Sequence, residues 1–530
     1  MAVTTALPGL AVEVLRPPTD PSPLRSDVAG VVGRTRRGPI AEPVRVTGRR
    51  GLEAVFGGLD ARYATGYSLR GYFENGGEVV HVVRLPGAGS ATAEALWVVG
   101  DLIGPPDAPD WAPDAPAAAG FRAARYRVRA TSPGTWADDT RVTIAYRANG
   151  LARQHELEMR VEVPGEQPEL FVGVAPDRVE EALAGSRFVS LTPDGPPAPS
   201  AHDTGPTFVR WDTVVLGGGA DPVPGRDDYL RAVTLLGEVP EVALVALPDL
   251  HADLSTNGDQ AATQVLGAFL RDAADRQDRL VILDVPGGPN GAGLPPPEAS
   301  AWVRGLRRAL DDDQPRAGAV YHPWVRVRDP LGRTVAPLRA VPSSGHVAGL
   351  ASRLDRERGA QHTPANALLA DALDLTTPLD ERQEALLHTA GINLLRCRPG
   401  RGLEVWGGRT LDQDLLRRFV AHRRLLHRLV RAIRRVAEPL VFETNGPELW
   451  FTIVRGVSSV LLEAWRAGGL KGATRDEAFR VRCDATTNPP EAIDAGRLLC
   501  EIDLAPAAPM EFITIRLTIA RQGQLEVVEQ

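Results

Sequence analysis

The sequence predicts an α/β and α+β protein of several domains, and three patterns carry that prediction. Between residues 206 and 395, apolar strands alternate with helical segments, which is typical of an α/β domain with parallel strands. Residues 86–205 combine proline-rich loops with strands of alternating polarity, which indicates an inserted β-rich domain. The last third holds a long amphipathic helix and an alternating strand, which indicates an α+β domain. These patterns divide the chain into segments 1–25, 26–85, 86–205, 206–395, 396–510 and 511–530.

Length and composition are those of a soluble globular protein with more than one core. The chain has 530 residues, of which 24% are charged and 43% are hydrophobic, and its net charge is −7. This acidic balance argues against wholesale binding to nucleic acid. No apolar run is long enough to cross a bilayer and the first residues lack a secretory signal, so we expect no membrane insertion.

The three cysteines, Cys397, Cys483 and Cys500, are scattered along the chain without a Cys-x-x-Cys pair. Zinc needs clustered donors, so a metal site built from these residues is not expected. We expect all three to be reduced, buried packing residues, in keeping with synthesis in a reducing cytoplasm.

The first residues predict a strand on a proline-rich tether. Leu10, Val12 and Val14 recur at the period of a strand. Four prolines between residues 17 and 23 then keep the chain extended. A short strand cannot bury itself alone, so this one must join a sheet elsewhere, in this chain or in another.

Residues 26–85 predict the first part of a core domain. The turn "GRTRRGP" has the glycines and arginines of a phosphate cradle, but no helix begins directly after it. We therefore expect a shaped turn whose arginines make contacts inside the chain or with another copy. The expected elements around it are a strand Val28–Val32, a strand Val44–Val46, a helix around Leu52–Phe56, a helix near Tyr67–Glu74 and a strand in "EVVHVVRL".

Two features of the middle segment support an enzymatic alternative. Asp284 ends the apolar strand "LVILD", a position where α/β enzymes often carry catalytic acids, and Gly217–Gly219 follow another strand. A structural turn is favoured for the glycine loop and an acid at a strand end can simply cap the next turn, since no dinucleotide pattern, nucleophile elbow or H-E-x-x-H accompanies them. A P-loop is excluded because Lys471, the only lysine, does not stand in a Gly-Lys-Ser/Thr motif. The alternative is thus a hydrolase or nucleotide-binding enzyme using Asp284 and the glycine loop.

The strongest local charge feature is a predicted helix from Asp412 to Val436. Thr410 and Gln413 have the spacing of a capping box, and one side of the helix is apolar. The other side carries eight arginines with no acid among them from Leu415 to Ala437. Such a run is usually a solvated face, yet its self-repulsion favours an acidic surface opposite. DNA, membrane and an acidic protein all fit, and the acidic balance of the chain favours a protein.

Strings at both ends of the chain resemble one family, the contractile tail sheath proteins. "PGLAVEV", "VAGVVGRTRRGPIAEPVRVTG", "VFGGL" and "LRGYFENGGEVVHVVRL" are similar to the N-terminal signature of that family. "VWGGRTL", "VFETNGPELW", "LLEAWRAGGLKGATRDEAFRVRCD" and "TTNPPEAIDAGRLLCEIDLAPAAPMEFITIRL" are similar to its C-terminal domain, in the family's order. Residues 86–205 carry little resemblance beyond "ATSPGTWADDTRVTI", as expected for the family's variable outward domain.

The resemblance implies a structural protein without enzymatic activity, cofactor or metal. Sheath proteins polymerise around an inner tube in a metastable extended state, then contract and drive the tube through a target envelope. The implied partners are other copies of the chain, an inner tube protein, a baseplate and a terminator or cap, with no direct contact to nucleic acid. Assembly in the bacterial cytoplasm would precede residence in a phage tail, an injection particle or a bacteriocin. The middle segment is then expected to have the family's subtilisin-like sheath fold, a name for fold likeness and not for proteolysis.

The resemblance also implies roles for two groups of residues. Family members exchange terminal arms between neighbouring subunits, completing a sheet in the C-terminal domain. That role would fall here on the two lone strands: Leu10, Val12, Val14, Ile513, Ile515, Leu517 and Ile519. The arginine-rich helix would face an acidic inner tube, through Arg417, Arg423, Arg424, Arg428, Arg431 and Arg435.

Overall fold

A computed structural model gives the arrangement of most of the chain. It describes residues 25–100, 123–149, 154–174, 179–194, 208–254, 259–287, 293–335, 337–414, 417–507, 513–519 and 525–529. The predicted arm strand Leu10–Leu15 and its proline tether lie outside these residues.

An eight-stranded sheet forms the centre of the molecule. Its six inner strands are parallel, and the two edge strands run antiparallel to their neighbours. Parallel sheets are covered on both faces, which is why the inner strands are apolar runs rather than alternating ones. In spatial order the strands are Gly402–Trp406, Ile392–Arg398, Gly318–His322, Leu280–Asp284, Leu244–Ala246, Ala29–Gly33, Val79–Arg84 and Pro43–Thr47.

Helices cover both faces of the central sheet and bury a hydrophobic layer on each. The first layer lies under the helices Gly48–Phe56, Thr65–Glu74 and Ser344–Arg358. The second lies under Arg226–Gly237, Leu250–Asp253, Asp259–Arg276, Pro296–Arg308 and Glu381–Thr389. The alternation of strands and helices therefore gives the α/β layer with parallel strands that the sequence predicts. The sheet includes residues 26–85 and continues to Trp406, beyond the expected limit at residue 395.

The stretch "AGAVYHPWVRV" forms two strands that belong to different sheets. Gly318–His322 belongs to the central sheet, whereas Val325–Arg328 pairs with Leu338–Val341 and Asp374–Leu375 in a separate three-stranded sheet. The break falls at Pro323, which has no backbone N–H to offer a ladder.

The inserted segment folds into two antiparallel sheets around their own core. Phe208–Val215, which the sequence pattern assigned to the middle segment, pairs along its length with Arg141–Asn149 and so belongs to the insertion. The strand pairs with residues far before it in the sequence, so its local pattern alone could not show to which domain it belongs. The sheets are Glu94–Gly100, Ala123–Ala130 and Val189–Pro193, then Phe208–Val215, Arg141–Asn149, Gln154–Glu162 and Glu169–Val174 in spatial order, with a short helix Val179–Leu183.

The remaining elements form what we call the C-terminal module. It combines the helix Val420–Ala437, named here the arginine helix, with the apolar helix Pro447–Arg466 and a four-stranded antiparallel sheet. Leucines, valines and Ile433 on one side of the arginine helix pack with the second helix and the sheet. The strands are Phe479–Arg482, Leu498–Leu504, Ile513–Ile519 and Leu525–Glu529. A short helix Arg475–Ala478 precedes the first strand, and another, Pro490–Asp494, lies between the first two.

Candidate functional site

The arginine helix begins at Val420, later than the predicted Asp412. Thr410 is fully buried in the preceding turn, where its backbone N–H donates to the Arg418 carbonyl at 2.7 Å. The Thr410 hydroxyl accepts from the Asp412 backbone N–H at 3.2 Å instead of capping a helix. The predicted capping box of Thr410 and Gln413 is therefore wrong, because Thr410 makes its hydrogen bonds within the turn that precedes the helix.

Three of the six arginines expected to face a tube are buried within this chain. Arg423 and Arg424 are each 3% exposed, and Arg431 is 9% exposed. Arg424 Nη2 lies 2.9 Å from Asp355 Oδ2, and Arg424 Nη1 donates to the Ala351 carbonyl at 3.1 Å. The expectation of an arginine face turned toward another chain is thus corrected for these three, which have no surface to offer in this conformation.

Acids from distant elements compensate the arginine helix. Asp355 comes from the helix Ser344–Arg358, and Asp278 precedes the central strand Leu280–Asp284. Arg434 Nη1 lies 3.4 Å from Asp278 Oδ2. Burial lowers the pKa of Arg431, and the charge of Asp278 opposes that shift. The self-repulsion expected from the local sequence is therefore offset by tertiary contacts that local spacing cannot show.

The other three predicted arginines remain at least partly accessible. The side chains of Arg417 and Arg428 are 37% and 38% exposed, and Arg435 is half-buried. Arg417 Nη2 lies 3.5 Å from Asp414 Oδ2, and Arg428 Nη1 lies 3.6 Å from Asp355 Oδ1. The pair of Arg417 with Asp414 is exposed on both sides, so it is weak and screened by salt. The acid that Arg428 meets is buried, but the Arg428 guanidinium itself is solvated enough to reach another acidic surface.

The first described residues are anchored beside the arginine helix. The Ser26 carbonyl accepts from Arg424 Nη2 at 3.4 Å, and Tyr72 Oη donates to the Asp27 carbonyl at 3.2 Å. The Asp27 carboxylate pairs with Arg25 at 2.8 Å and with Arg356 at 3.2 Å. The buried Asp27 thus fixes where the chain that follows the predicted arm enters the molecule.

The predicted C-terminal strand is present as Ile513–Ile519. It pairs antiparallel with Leu498–Leu504 of the same chain, with Ile513 opposite Leu504 and Ile519 opposite Leu498. A further strand, Leu525–Glu529, pairs on its other side and was not predicted. The sheet of the C-terminal module consequently ends in two edge strands, Phe479–Arg482 and Leu525–Glu529.

Sequence reasoning missed two exposed aromatic side chains on the C-terminal module. Phe442 is 98% exposed and Phe451 is 68% exposed. The turn that carries Phe442 is held in place, because Asn445 Nδ2 donates to the Arg497 carbonyl at 3.0 Å and accepts through Oδ1 from Trp450 Nε1 at 2.8 Å. For Phe451 the signal was in "PELWFTIVRGVSSVLLEAWR", whose apolar residues exceed the one stripe that a packed helix needs.

Asp284 and the glycine loop, on which the enzymatic alternative depends, have structural roles here. Asp284 Oδ1 accepts from the Ser344 backbone N–H at 2.9 Å and from the Ser343 hydroxyl at 3.3 Å, at the start of the helix Ser344–Arg358. Burial raises the pKa of Asp284 to about 6, and the serine hydrogen bonds oppose the shift. In the loop, the Gly219 backbone N–H donates to Asp138 Oδ1 at 2.9 Å.

The arginine turn near the start of the chain makes contacts within the chain, which is one of the two possibilities that the sequence left open. Arg36 and Arg37 pair with Glu166 of the insertion at 3.2 and 2.7 Å. Arg34 Nη1 lies 3.4 Å from Asp253 Oδ1. These pairs join the insertion and the central sheet through one turn.

The cysteines only partly follow the expectation of burial. Cys483 and Cys500 are buried, but Cys397 is exposed on the edge hairpin of the central sheet, so its predicted packing role is wrong. Among the described residues, no group of three or more histidines, cysteines and acids is placed to hold a metal ion. Within the same residues, no helix combines the length and apolarity needed to cross a membrane.

Comparisons with known proteins agree on one kind of protein. A family model described as the phage tail sheath C-terminal domain matches residues 412–520. A tail sheath protein of Vibrio phage KVP40 is 26% identical over 329 residues, an alignment that covers 57% of this chain and 45% of the relative. The chain spans less than half the length of the curated relatives it matches.

Solved structures with the same fold are sheath proteins as well. A sheath tail protein of Listeria innocua superposes with a TM-score of 0.62 at 13% identity, covering 93% of this chain and 95% of that one. The helical sheath of the anti-feeding prophage in its contracted state gives a TM-score of 0.55 at 19% identity, covering 96% and 98%. Residues 412–520 therefore belong to the phage tail sheath C-terminal domain family, and the chain has the fold of sheath proteins.

Proposed function

We propose that this chain is a structural sheath subunit that polymerises around an inner tube in a metastable extended state and contracts to drive the tube through a target envelope. The observation that carries the proposal is the family match of residues 412–520. The fold shared with a contracted helical sheath supports it over the rest of the chain. The central sheet and its helices are then the subtilisin-like sheath domain, with the two inserted sheets facing outward.

The proposed activity is mechanical and needs no chemistry at Asp284. Asp284 Oδ1 accepts two hydrogen bonds that hold the start of the helix Ser344–Arg358. Energy for contraction is stored during assembly, when each subunit is held in contacts of higher free energy, and a cooperative switch releases it. No cofactor, nucleotide or metal enters this cycle.

Neighbouring copies are joined by exchanged strands in this proposal. The arm strand with Leu10, Val12 and Val14 adds to an edge of a neighbour's C-terminal sheet, by main-chain hydrogen bonds. Two observations support this: among the described residues the sheet ends in two edge strands, and Asp27 anchors the chain directly after the arm beside the arginine helix. The strand with Ile513, Ile515, Leu517 and Ile519 forms the inner part of that sheet. The proline tether lets rigid subunits rotate without separating.

The inner tube is contacted by the accessible arginines of the C-terminal module. Arg417, Arg428 and Arg435 keep this role, whereas Arg423, Arg424 and Arg431 are buried within the chain, where Arg424 pairs with Asp355 of the central domain. Solvated charge pairs give an attachment that is strong enough to guide assembly and weak enough to release on contraction. A baseplate starts the polymer and a terminator or cap ends it. Assembly takes place in the bacterial cytoplasm, before the particle acts as a phage tail, an injection particle or a bacteriocin.

Electron microscopy of the chain expressed with its neighbouring genes tests this function. We expect striated tubes of two lengths, corresponding to extended and contracted sheaths. A chain lacking residues 1–16 should remain soluble and bind no neighbour in ordered tubes, because the exchanged strand is missing. A monomer that never polymerises, or normal tubes from the truncated chain, would contradict the function and the strand exchange respectively.

A further inference from the structure

We propose that Cys483 and Cys500 form an intramolecular disulfide-bonding site in the C-terminal module. Arg482 pairs with Glu501 in the antiparallel ladder, so the next position places Cys483 opposite Cys500. Opposed residues of an antiparallel pair have Cα atoms about 4.5–5.5 Å apart and side chains on one face. That separation lies within the range that a disulfide spans, about 4.4–6.8 Å between Cα atoms.

Both thiols lie on the inner face of the sheet and touch each other. Cys500 is fully buried and Cys483 is 7% exposed. A hydrogen bond from the Cys500 thiol lowers the pKa of Cys483, and one from the Asn488 side chain adds to it, while burial opposes both. The same contact, together with burial, raises the pKa of Cys500. Cys483 is therefore the thiol that more readily becomes the nucleophilic thiolate.

The two thiols also differ in how easily an oxidant can reach them. Cys483 is followed directly by Asp484, an exposed residue at the end of the strand Phe479–Arg482. Cys500 lies inside the sheet, between Cys483 and Leu517 of the neighbouring strand. An oxidant thus reaches Cys483 first, and Cys500 is placed to react second.

The oxidant required is a small-molecule disulfide. The Cys483 thiolate attacks one of its sulfurs, the small S–S bond breaks, and one small thiolate leaves. Cys500 then gives its proton to solvent and attacks Cys483 Sγ, which releases the second small thiolate and forms the protein disulfide. Two protein thiols are oxidised and one small disulfide is reduced to two thiols.

The cross-link would fasten an edge strand to the sheet that carries the proposed strand exchange. It closes the segment between Cys483 and Cys500, so it restricts the unfolded chain more than the folded one. The site does not depend on the proposed function, since it needs only the folded C-terminal module.

Thiol counting and peptide mapping on the full chain test the site. Cys397→Ser serves as the starting variant, because its exposed thiol would otherwise react with the reagent or with another chain. After native incubation with oxidised glutathione, we expect the loss of both remaining thiols, an intact mass lower by two hydrogens and a cross-linked peptide pair. The midpoint of thermal unfolding should rise and return when a reductant is added.

Single variants in the Cys397→Ser background distinguish the two roles. Cys500→Ala should hold one glutathione on Cys483, whereas Cys483→Ala should leave Cys500 unmodified until the chain unfolds. Circular dichroism of each variant checks that it folds. Two unreacted thiols in the native starting variant, or cross-links only between chains, would overturn the proposal.

Discussion

Arg424, which is 3% exposed, contacts two separate parts of the chain, the helix Ser344–Arg358 and Ser26. It pairs with Asp355 at 2.9 Å and donates to the carbonyls of Ala351 and Ser26. Removing one partner of a buried pair leaves the other charge without compensation, at a cost of about 3–5 kcal/mol. We expect Arg424→Ala to lower the free energy of unfolding by about that amount in urea denaturation.

Arg428→Ala is the matched control for Arg424→Ala, one turn along the same helix. Its side chain is 38% exposed and it reaches the same Asp355 at 3.6 Å. Asp355 is buried but keeps its closer partner Arg424 when the partly solvated Arg428 is removed, so we expect the control to lose only about 0–1 kcal/mol. Equal losses in the two variants would contradict the assignment of Arg424 to the buried framework.

Asp253 links stability to pH. Burial raises its pKa to about 7, the charge of Asp249 adds to the shift, and hydrogen bonds from Tyr229 and Arg34 oppose it. The folded chain therefore keeps a proton that the unfolded chain has released above about pH 4. Stability from this proton is full below that pH and falls by up to about 1.4 kcal/mol per unit as pH rises toward 7.

Asp253→Asn removes that proton linkage while keeping the size of the side chain. Thermal unfolding between pH 4.5 and 8, values spanning roughly the titration window, should show a flatter pH dependence for the variant. Asp275→Asn changes an exposed acid of the helix Asp259–Arg276 and should preserve the original dependence. If both variants kept the same slope, Asp253 would not be the linked group.

Among the elements, the helices Thr65–Glu74 and Ser344–Arg358 pack so closely that the contact positions on the second helix have room only for glycine. A Cβ at Gly349 would lie 2.1 Å from the Tyr72 carbonyl oxygen, and one at Gly345 would lie 2.3 Å from the Ser68 carbonyl oxygen. Backbone atoms cannot move aside as a side chain can. We expect Gly349→Ala to destabilise the chain by about 1–3 kcal/mol, since it overpacks this contact.

Gly305→Ala provides the opposite result in the same measurement. Gly305 lies in the helix Pro296–Arg308, and a Cβ there would meet no atom within 4 Å. Alanine in an open helical position should stabilise by about 0.5–1 kcal/mol. A gain at both sites in urea denaturation would show that the two helices can separate at little cost.

Helices and strands with a clear hydrophobic pattern could be predicted from the sequence. Features that depend on residues far apart in the sequence could not. The apolar run "LVILD" is a central strand as expected, because a strand buried on both faces needs only apolar residues. The Thr410 capping box failed because a turn competes for the same side chain. Arg423 and Arg424 looked solvated because Asp355, the acid that one of them meets, lies 69 residues away in sequence.

At the scale of the whole molecule, the arginines of the arginine helix fall into two groups, buried and accessible, that the sequence alone does not distinguish. The buried Arg424 attaches the C-terminal module to the central domain, next to the point where the chain after the arm enters. Arg428 touches the same Asp355 at 3.6 Å, but its guanidinium is 38% exposed, so it is also within reach of an acidic partner. In the proposed sheath, the C-terminal module is fixed to the central domain by a buried ion pair and to the tube by accessible arginines. The module can then release the tube and stay attached to its own central domain.

This division predicts a selective effect of charge removal on assembly. Arg428→Gln with Arg435→Gln should leave the subunit folded, by circular dichroism, but reduce the number of extended sheaths formed on co-expressed tubes. The attachment that remains should depend less on salt concentration, because fewer charge pairs form it. Arg160→Gln, at an exposed position of the inserted sheets, is the control and should leave assembly unchanged. Normal extended particles from the double variant would place the tube contact elsewhere on the subunit.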